Sequence, residues 1–467
     1  MKSKKLGLMS SVAVCVGLIV ATSCLSSLAT GIGLVGRTFI IPMFIVMILN
    51  FFVGMSFTEL NRLMPDVSGG TGQYLMVGFG PVISIVGNVS AYVIAMALTM
   101  TAELSMSGIV LKSIFQLEVD PRVISIGILL ALFLVNLRGV DLFSKVQDLV
   151  VVLLLGSMTI LGIIGTMKLG TGDVVQQLTR PVSEGFLGCV NSASIAFWLF
   201  IGVEFVIPIA KDMKNPKRDV LLSIGIGMIL LFVIQSLLGV GMSNYVSFDG
   251  LANDPEGTPH ITFSTNMLGR FGRYWMGVIT MLAAVSTVNS MFASTSRILQ
   301  GMSDDRLMPR ILSRENRHKV AYVSLSVMAI LVSLLLLSNL AATNGITFVV
   351  LAASCLWLAV YVLIHAAVLI LRKRYPEIKR SRRLTLFGIP QIIGAIGDIY
   401  MIVFISTGAD RILIYQISAV CIALLLIYAL IWTRYVMKVK PFAPASLEDV
   451  STVTEEEEEE VWDVSLQ

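Results

Sequence analysis

Two stretches of this chain place polar or conformationally permissive residues inside otherwise apolar sequence. The first runs Ala21-Thr22-Ser23-Cys24-Leu25-Ser26, and the second Phe197-Trp198-Leu199-Phe200-Ile201-Gly202 followed by Glu204. Small hydroxylated residues tolerate an unwound helix, because Ser and Thr side chains satisfy the backbone groups that unwinding frees. Aromatic rings beside a glycine can wall a small-molecule pocket. A carboxylate in such a place needs a partner or a proton. A further acid, Glu103, lies in another apolar run. The chemistry these residues offer is recognition of a small polar or cationic molecule. Plainer alternatives stand beside it: close helix packing through the small residues at 21–26, aromatic packing with a neutral Glu204, and pairing of Glu103 with an adjacent helix.

Bond-breaking chemistry has less to stand on. His260, His318 and His365 form no cluster, and Cys15, Cys24, Cys189, Cys355 and Cys421 show no metal-ligand spacing. A membrane-embedded enzyme would need a catalytic constellation, which the lone His365 within an apolar run does not make. No cofactor is expected, and no feature indicates nucleic acid.

The solvent that positions these residues is lipid. Of 467 residues, 56% are hydrophobic and 14% charged, with a mean hydropathy of +0.85. A soluble domain carries about 25% charged residues, and a bilayer removes the need for them. Twelve stretches are long and apolar enough to be spans: 9–35, 39–63, 82–111, 121–137, 146–167, 186–210, 220–244, 274–300, 321–338, 346–371, 387–407 and 412–437, of which the fourth and ninth are short. They lack strand-like alternation, which predicts an all-α integral membrane fold rather than a barrel. The basic N-terminal flank resembles a signal peptide, but the apolar run behind it is too long, so it reads as a retained first span.

Orientation follows from Lys and Arg. Only Arg37, Lys112, Arg122, Lys168, Arg180, Arg270, Arg273 and Arg411 fall in loops on one side, and the other 26 of 34 basic residues fall opposite. That places both termini in the cytoplasm of a multi-pass cell-membrane protein. Residues 1–8 form a short cytoplasmic lead. Residues 438–467, with a run of six glutamates, read as a disordered cytoplasmic tail, because like charges so dense resist folding.

Four stretches then resemble, in order, the amino acid–polyamine–organocation (APC) permeases. Residues 202–218, GVEFVIPIAKDMKNPKR, are similar to the family's span-6 signature. Glu59 to Pro65 with Ser68-Gly69-Gly70 and Tyr74 resembles its link between spans 2 and 3. Asn136 to Val140 with Lys145-Val146-Gln147 resembles its 4–5 loop, and Asn289 to Arg297 with Asp304 to Pro309 its span-8 exit. The resemblance implies a LeuT-type fold: spans 1–5 (about 9–167) and 6–10 (about 186–371) as 5+5 inverted repeats, with two helices (387–437) appended. It implies secondary transport of an amino acid by alternating access around broken spans 1 and 6, or exchange of polyamines and other organic cations. A non-transporting membrane sensor is the reading of another class.

The candidate substrate-binding residues are therefore Ala21, Thr22, Ser23, Cys24, Leu25, Ser26, Glu103, Phe197, Trp198, Phe200, Ile201, Gly202 and Glu204. In the family, half-helix ends would receive the substrate's carboxylate and ammonium. Two departures stand out. The family's Gly-Ser-Gly at the span-1 break is here Ala21-Thr22-Ser23, and the lysine that many proton-coupled members carry in span 5 is here Leu154. The coupling ion is Na⁺ or H⁺. Ser286 and Thr287 of span 8 are the candidate sodium ligands, hydroxyl oxygens being suited to a hard cation, although hydroxyls in membrane helices also bond to carbonyls one turn back.

Overall fold

A computed structural model of the chain describes residues 7–19, 21, 23–65, 71–138, 144–178, 181, 185–207, 210, 213–254, 257–338, 345–378, 380 and 386–448. Parts of the family-like motifs (66–70, 139–143, 208–209 and 211–212), and the glutamate run, lie outside them. Among the described residues every named element is helical, apart from an isolated bridge between Glu315 and Ala321.

In chain order the helices are α1 (Leu8–Ile19), α2 (Ser23–Val35), α3 (Ile40–Leu63), α4 (Thr71–Phe79), α5 (Pro81–Val89), α6 (Met96–Phe115), α7 (Pro121–Leu137), α8 (Ser144–Thr166), α9 (Gly185–Asn191) and α10 (Ala193–Phe197). They continue as α11 (Pro216–Tyr245), α12 (Phe248–Ala252), α13 (Pro259–Asp304), α14 (Tyr322–Leu337), α15 (Ile346–Arg374), α16 (Ile389–Val403) and α17 (Gly408–Ile431). Among the described residues eight helical segments are long and apolar enough to cross a membrane, and three apolar helices are shorter: Pro121–Leu137, Gly185–Phe197 and Tyr322–Leu337. Two of the three are the short spans read from the sequence. The third is short because its helix stops at the aromatic cluster.

Packing of these helices uses two devices. Where α8 meets α11 the residues are small: a Cβ added at Gly165 would lie 2.8 Å from Gly241 Cα, so the backbones approach as only glycine permits. Elsewhere buried bulk fills the interior, including Trp198, Trp357, Tyr74, Tyr245 and Tyr361, all almost completely buried. Exposed Leu, Ile and Val on α7, α16 and α17, such as Leu134, Ile396 and Leu424, form the outward apolar face that a bilayer covers.

Loops that the charge distribution assigns to one side lie together. Glu59 at the end of α3 takes two hydrogen bonds from Arg372 at the end of α15, Nε at 2.9 Å and Nη2 at 2.5 Å, with Arg380 Nε at 3.5 Å. On the opposite side Arg37 bonds Ser243 and Asn244, and Arg273 bonds the Ser113 carbonyl.

Two expectations differ from the structure. The span expected at 274–300 belongs to one helical run, α13, that begins at Pro259 and kinks at Gly269 (φ 63°). The tail expected to be disordered from 438 packs as far as 448. Pro441 accepts a hydrogen bond from Val82 (3.1 Å), Ala445 donates to Met76 (3.2 Å), and the Leu447 N–H donates to the Tyr375 hydroxyl (3.1 Å) with Leu447 buried. The physical reason is composition: PFAPAS, at 441–446, is apolar and proline-stiffened, and the charge that opposes folding begins beyond it.

Candidate functional site

Helix α1 ends at Ile19 and α2 begins at Ser23, so the first apolar run is interrupted where the sequence is small and polar. Thr22 lies outside the described residues. Ala21 is buried, and its carbonyl accepts from the Cys24 N–H at 3.1 Å. Three hydrogen bonds tie down the start of α2. The Ser23 N–H donates to Glu103 Oε1 of α6 at 2.9 Å, Trp198 Nε1 donates to Ser23 Oγ at 2.8 Å, and Cys24 Sγ donates to the Trp198 carbonyl at 3.3 Å. A carboxylate on the first free N–H of a helix satisfies an orphan donor and complements the positive helix end. Glu103 therefore caps α2 from another helix.

The second interruption begins where α10 stops at Phe197. Gly202 adopts φ 104°, ψ 15° and opens a 3₁₀ turn, Val203–Val206. A side chain at this φ strains the backbone, which is why glycine stands here. The Leu199 carbonyl, freed from helical bonding, accepts from Gln235 Nε2 of α11 at 3.1 Å. Glu204 on the turn is buried and receives two donors from α15: Trp357 Nε1 at 2.9 Å and the Tyr361 hydroxyl at 2.6 Å. Neither donor carries charge.

Aromatic rings surround this carboxylate. Tyr92, Phe205 and Trp357 meet edge to face with centroids 6.1–6.4 Å apart, and Phe197 meets Tyr361 at 5.8 Å. Tyr92 belongs to a π turn, Ser90–Ala95, joining α5 to α6, and accepts a hydrogen bond from Thr71 at 2.7 Å. Such turns shift a side chain out of helical register and often mark functional positions.

The structure thus brings Ser23, Cys24, Glu103 and Trp198 into one network, and Phe197, Gly202 and Glu204 into a second that continues onto α15. Trp198, next to Phe197, ties the two together. Leu25, Ser26, Phe200 and Ile201 are buried beside these residues in the chain, Leu25 and Phe200 completely. Ser286 is buried and Thr287 half-buried on α13, which packs against α2, α6 and α8. Leu154 on α8 is buried. Among the described residues no group of three or more His, Cys, Asp or Glu side chains is placed to hold a metal ion. Sequence reasoning missed Trp357, Tyr361 and Tyr92. The signal available was a Trp and a Tyr four residues apart in an apolar span, hence on one helix face with polar tips in need of an acceptor.

Comparison with known proteins gives a consistent picture. The model of the family described as "Amino acid permease" matches residues 6–445. The branched-chain amino acid permease BcaP of Bacillus subtilis is 28% identical over 222 residues, 45% of this chain and 43% of that protein. The Arabidopsis thaliana proteins named cationic amino acid transporter 3, mitochondrial, and cationic amino acid transporter 4, vacuolar, are 29% and 31% identical. Those matches cover 32% and 28% of this chain and 24% and 21% of the relatives. The matches thus span less than half the length of each curated relative. Among solved structures, a manganese transporter of Eremococcus coleocola superposes with a TM-score of 0.61 at 15% identity, covering 91% of this chain and 94% of that one, and so shares the fold.

Proposed function

We propose, from the premise that this chain belongs to the amino acid permease family, that it is a secondary transporter of amino acids working by alternating access around its two helix interruptions. The observation that carries this reading is their union: Trp198, one residue past α10, bonds Ser23, the first residue of α2. Helix ends facing a shared space offer N–H groups to a carboxylate and carbonyls to an ammonium, without a charged side chain in lipid. The relatives in Bacillus and Arabidopsis are named for amino acids, which supports the substrate class. The arrangement proposed with it is twelve spans in a 5+5 inverted repeat with two helices appended, in the cell membrane, both termini cytoplasmic.

A second reading is favoured by Glu103. Its carboxylate already sits on the Ser23 N–H, where a substrate carboxylate would bind. A like charge brought there must displace it. An organic cation without a carboxylate, such as a diamine, needs no such displacement. A thermal-shift series on the purified protein separates the readings, since a ligand at about 100 times its Kd stabilises by about 2.7 kcal/mol. Stabilisation by α-amino acids supports the first reading; stabilisation by diamines alone supports the second. Binding with no uptake into proteoliposomes overturns both in favour of a sensor.

The coupling ion proposed is Na⁺ or H⁺, with Ser286 and Thr287 the ligands in the sodium case. Uptake in sodium should then exceed uptake in choline, and Ser286→Ala and Thr287→Ala should each remove most of that difference. Equal uptake in the two buffers removes the sodium site.

A further inference from the structure

A second pair of ionisable groups lies apart from the helix interruptions. His365 on α15 and Asp398 on α16 have side chains 0% and 1% exposed, with Nε2 3.6 Å from Oδ2. Ser56 of α3 stands on the other side of the imidazole, its Oγ 2.9 Å from Nδ1, and Gln391 Nε2 reaches Ser56 Oγ at 3.3 Å. Four atoms here have no hydrogen-bond partner: His365 Nε2, both oxygens of Asp398, and Gln391 Oε1. Buried polar groups are rarely left so, and a cluster of them asks for a cause.

The surroundings are built to admit the imidazole. Gln391, Gly394 and Asp398 lie three and four residues apart, on one face of α16. A Cβ at Gly394 would come 2.4 Å from His365 Nε2, so glycine makes the room. The titratable groups on neighbouring elements have other partners: Glu59 of α3 with Arg372 and Arg380, Glu103 of α6 with Ser23, and Glu204 with Trp357 and Tyr361. Thr71 bonds Tyr92 on the π turn, Cys24 of α2 bonds Trp198, and Tyr400 of α16 and Tyr415 of α17 bond Asn191 and backbone carbonyls. Tyr74 of α4 is an uncharged phenol packed on Phe57.

One assignment of donors and acceptors accounts for these contacts. Gln391 donates to Ser56 Oγ, so the Ser56 hydroxyl is free to donate to Nδ1, and a neutral imidazole then carries its proton on Nε2, facing Asp398. With an ionised Asp398 the pair bears one net negative charge in an apolar surround, an expensive state. One added proton makes it neutral, whether held on the carboxyl or as imidazolium beside carboxylate. The proton comes from bulk water and returns to it, and no other bond changes. Tyr361, four residues before His365 on α15, holds Glu204, so the helix that senses the proton also contacts the candidate site.

We propose that His365 and Asp398, between α15, α16 and α3, form a proton-binding site whose loading and unloading couple a proton gradient to transport. The coupling rests on the transport reading; the proton site does not. It is also separate from the sodium candidates on α13. Infrared difference spectroscopy on the full-length protein in nanodiscs tests the site itself. Acidification should raise protonated-carboxyl absorption containing a component from a carboxyl shielded from water, which Asp398→Asn removes and His365→Asn shifts. A spectrum that Asp398→Asn leaves unaltered overturns the site. Asparagine is close in shape to aspartate, and in His365→Asn the new side chain keeps an amide near the Nδ1 position, so both variants should elute as the parent does. If Asp398→Asn does not fold, the shift of the same component in His365→Asn decides the matter.

Coupling is read in proteoliposomes. One proton per cycle makes accumulation rise about tenfold per pH unit of inward gradient. The parent should show that dependence, and both variants should lose it. Retention of the gradient response in both variants overturns the coupling. A parent that transports nothing under any gradient overturns the transport reading, while the infrared result still decides the proton site.

Discussion

Glu204→Ala should abolish substrate binding and lower the protein's stability, while Glu204→Gln should keep the fold and lose most transport. The difference follows from hydrogen-bond valence. The indole of Trp357 can only donate, and the hydroxyl of Tyr361 can donate or accept. Glutamine offers one carbonyl oxygen to Trp357 and an amide that Tyr361 can accept from, so both partners remain satisfied. Alanine leaves both buried donors without an acceptor, at about 1–3 kcal/mol each. Transport responds differently, because the glutamine side chain has no charge and takes up no proton. A hydrogen bond to a charged group contributes about 1.5–3 kcal/mol, which corresponds to a loss of roughly 10- to 150-fold in affinity. Uptake assays with Kd from thermal shift check the first effect, and unfolding in detergent checks the second. Parent-like transport by Glu204→Gln at every pH would leave Glu204 as a packing residue.

The contrast between Glu204 and its partners shows what the sequence carries and what it leaves out. Composition alone places the chain in lipid, because apolar runs of about 20 residues have no other use in such number. The interruption before Ser23 was legible as small hydroxylated residues, and that at Gly202 as aromatic residues ending in glycine. Both are local properties, and local properties are what one sequence expresses. Trp357 and Tyr361 were not legible as partners of Glu204, because the pairing crosses more than 150 positions and depends on how α15 lies against the turn. Arg372 and Arg380 on Glu59 are the same case over a longer separation. The departures have local causes that hydropathy does not register: a run such as Pro259–Asp304 reads as apolar only in its middle, and the 441–446 stretch has too few polar residues to stay in water beside the glutamates. His365 was visible only as a lone histidine. It becomes chemistry once α16 supplies Asp398.

Gly202→Leu should lose substrate binding and uptake altogether, with an effect larger than that of any single hydrogen bond in the site. Two terms act together. Gly202 has φ 104°, a region that non-glycine residues occupy at a cost of about 1–3 kcal/mol. A leucine could escape that strain by restoring helical backbone, but this would swing Glu204 away from Trp357 and Tyr361 and take the Leu199 carbonyl from Gln235. Either response removes the open segment between Phe197 and Val203. The bundle outside this segment is held by α8 against α11 and by α15 against α16, neither of which contains Gly202, so the variant should still insert and elute as a monodisperse protein. Gly202→Ala separates the terms: its methyl adds the φ strain with little bulk, so it should weaken binding by about 5- to 150-fold, in line with a cost of about 1–3 kcal/mol, whereas leucine leaves none. Equal affinity in the parent, Ala and Leu proteins would place the substrate elsewhere, and the union of Ser23 with Trp198 would then be a structural tie between two helix ends.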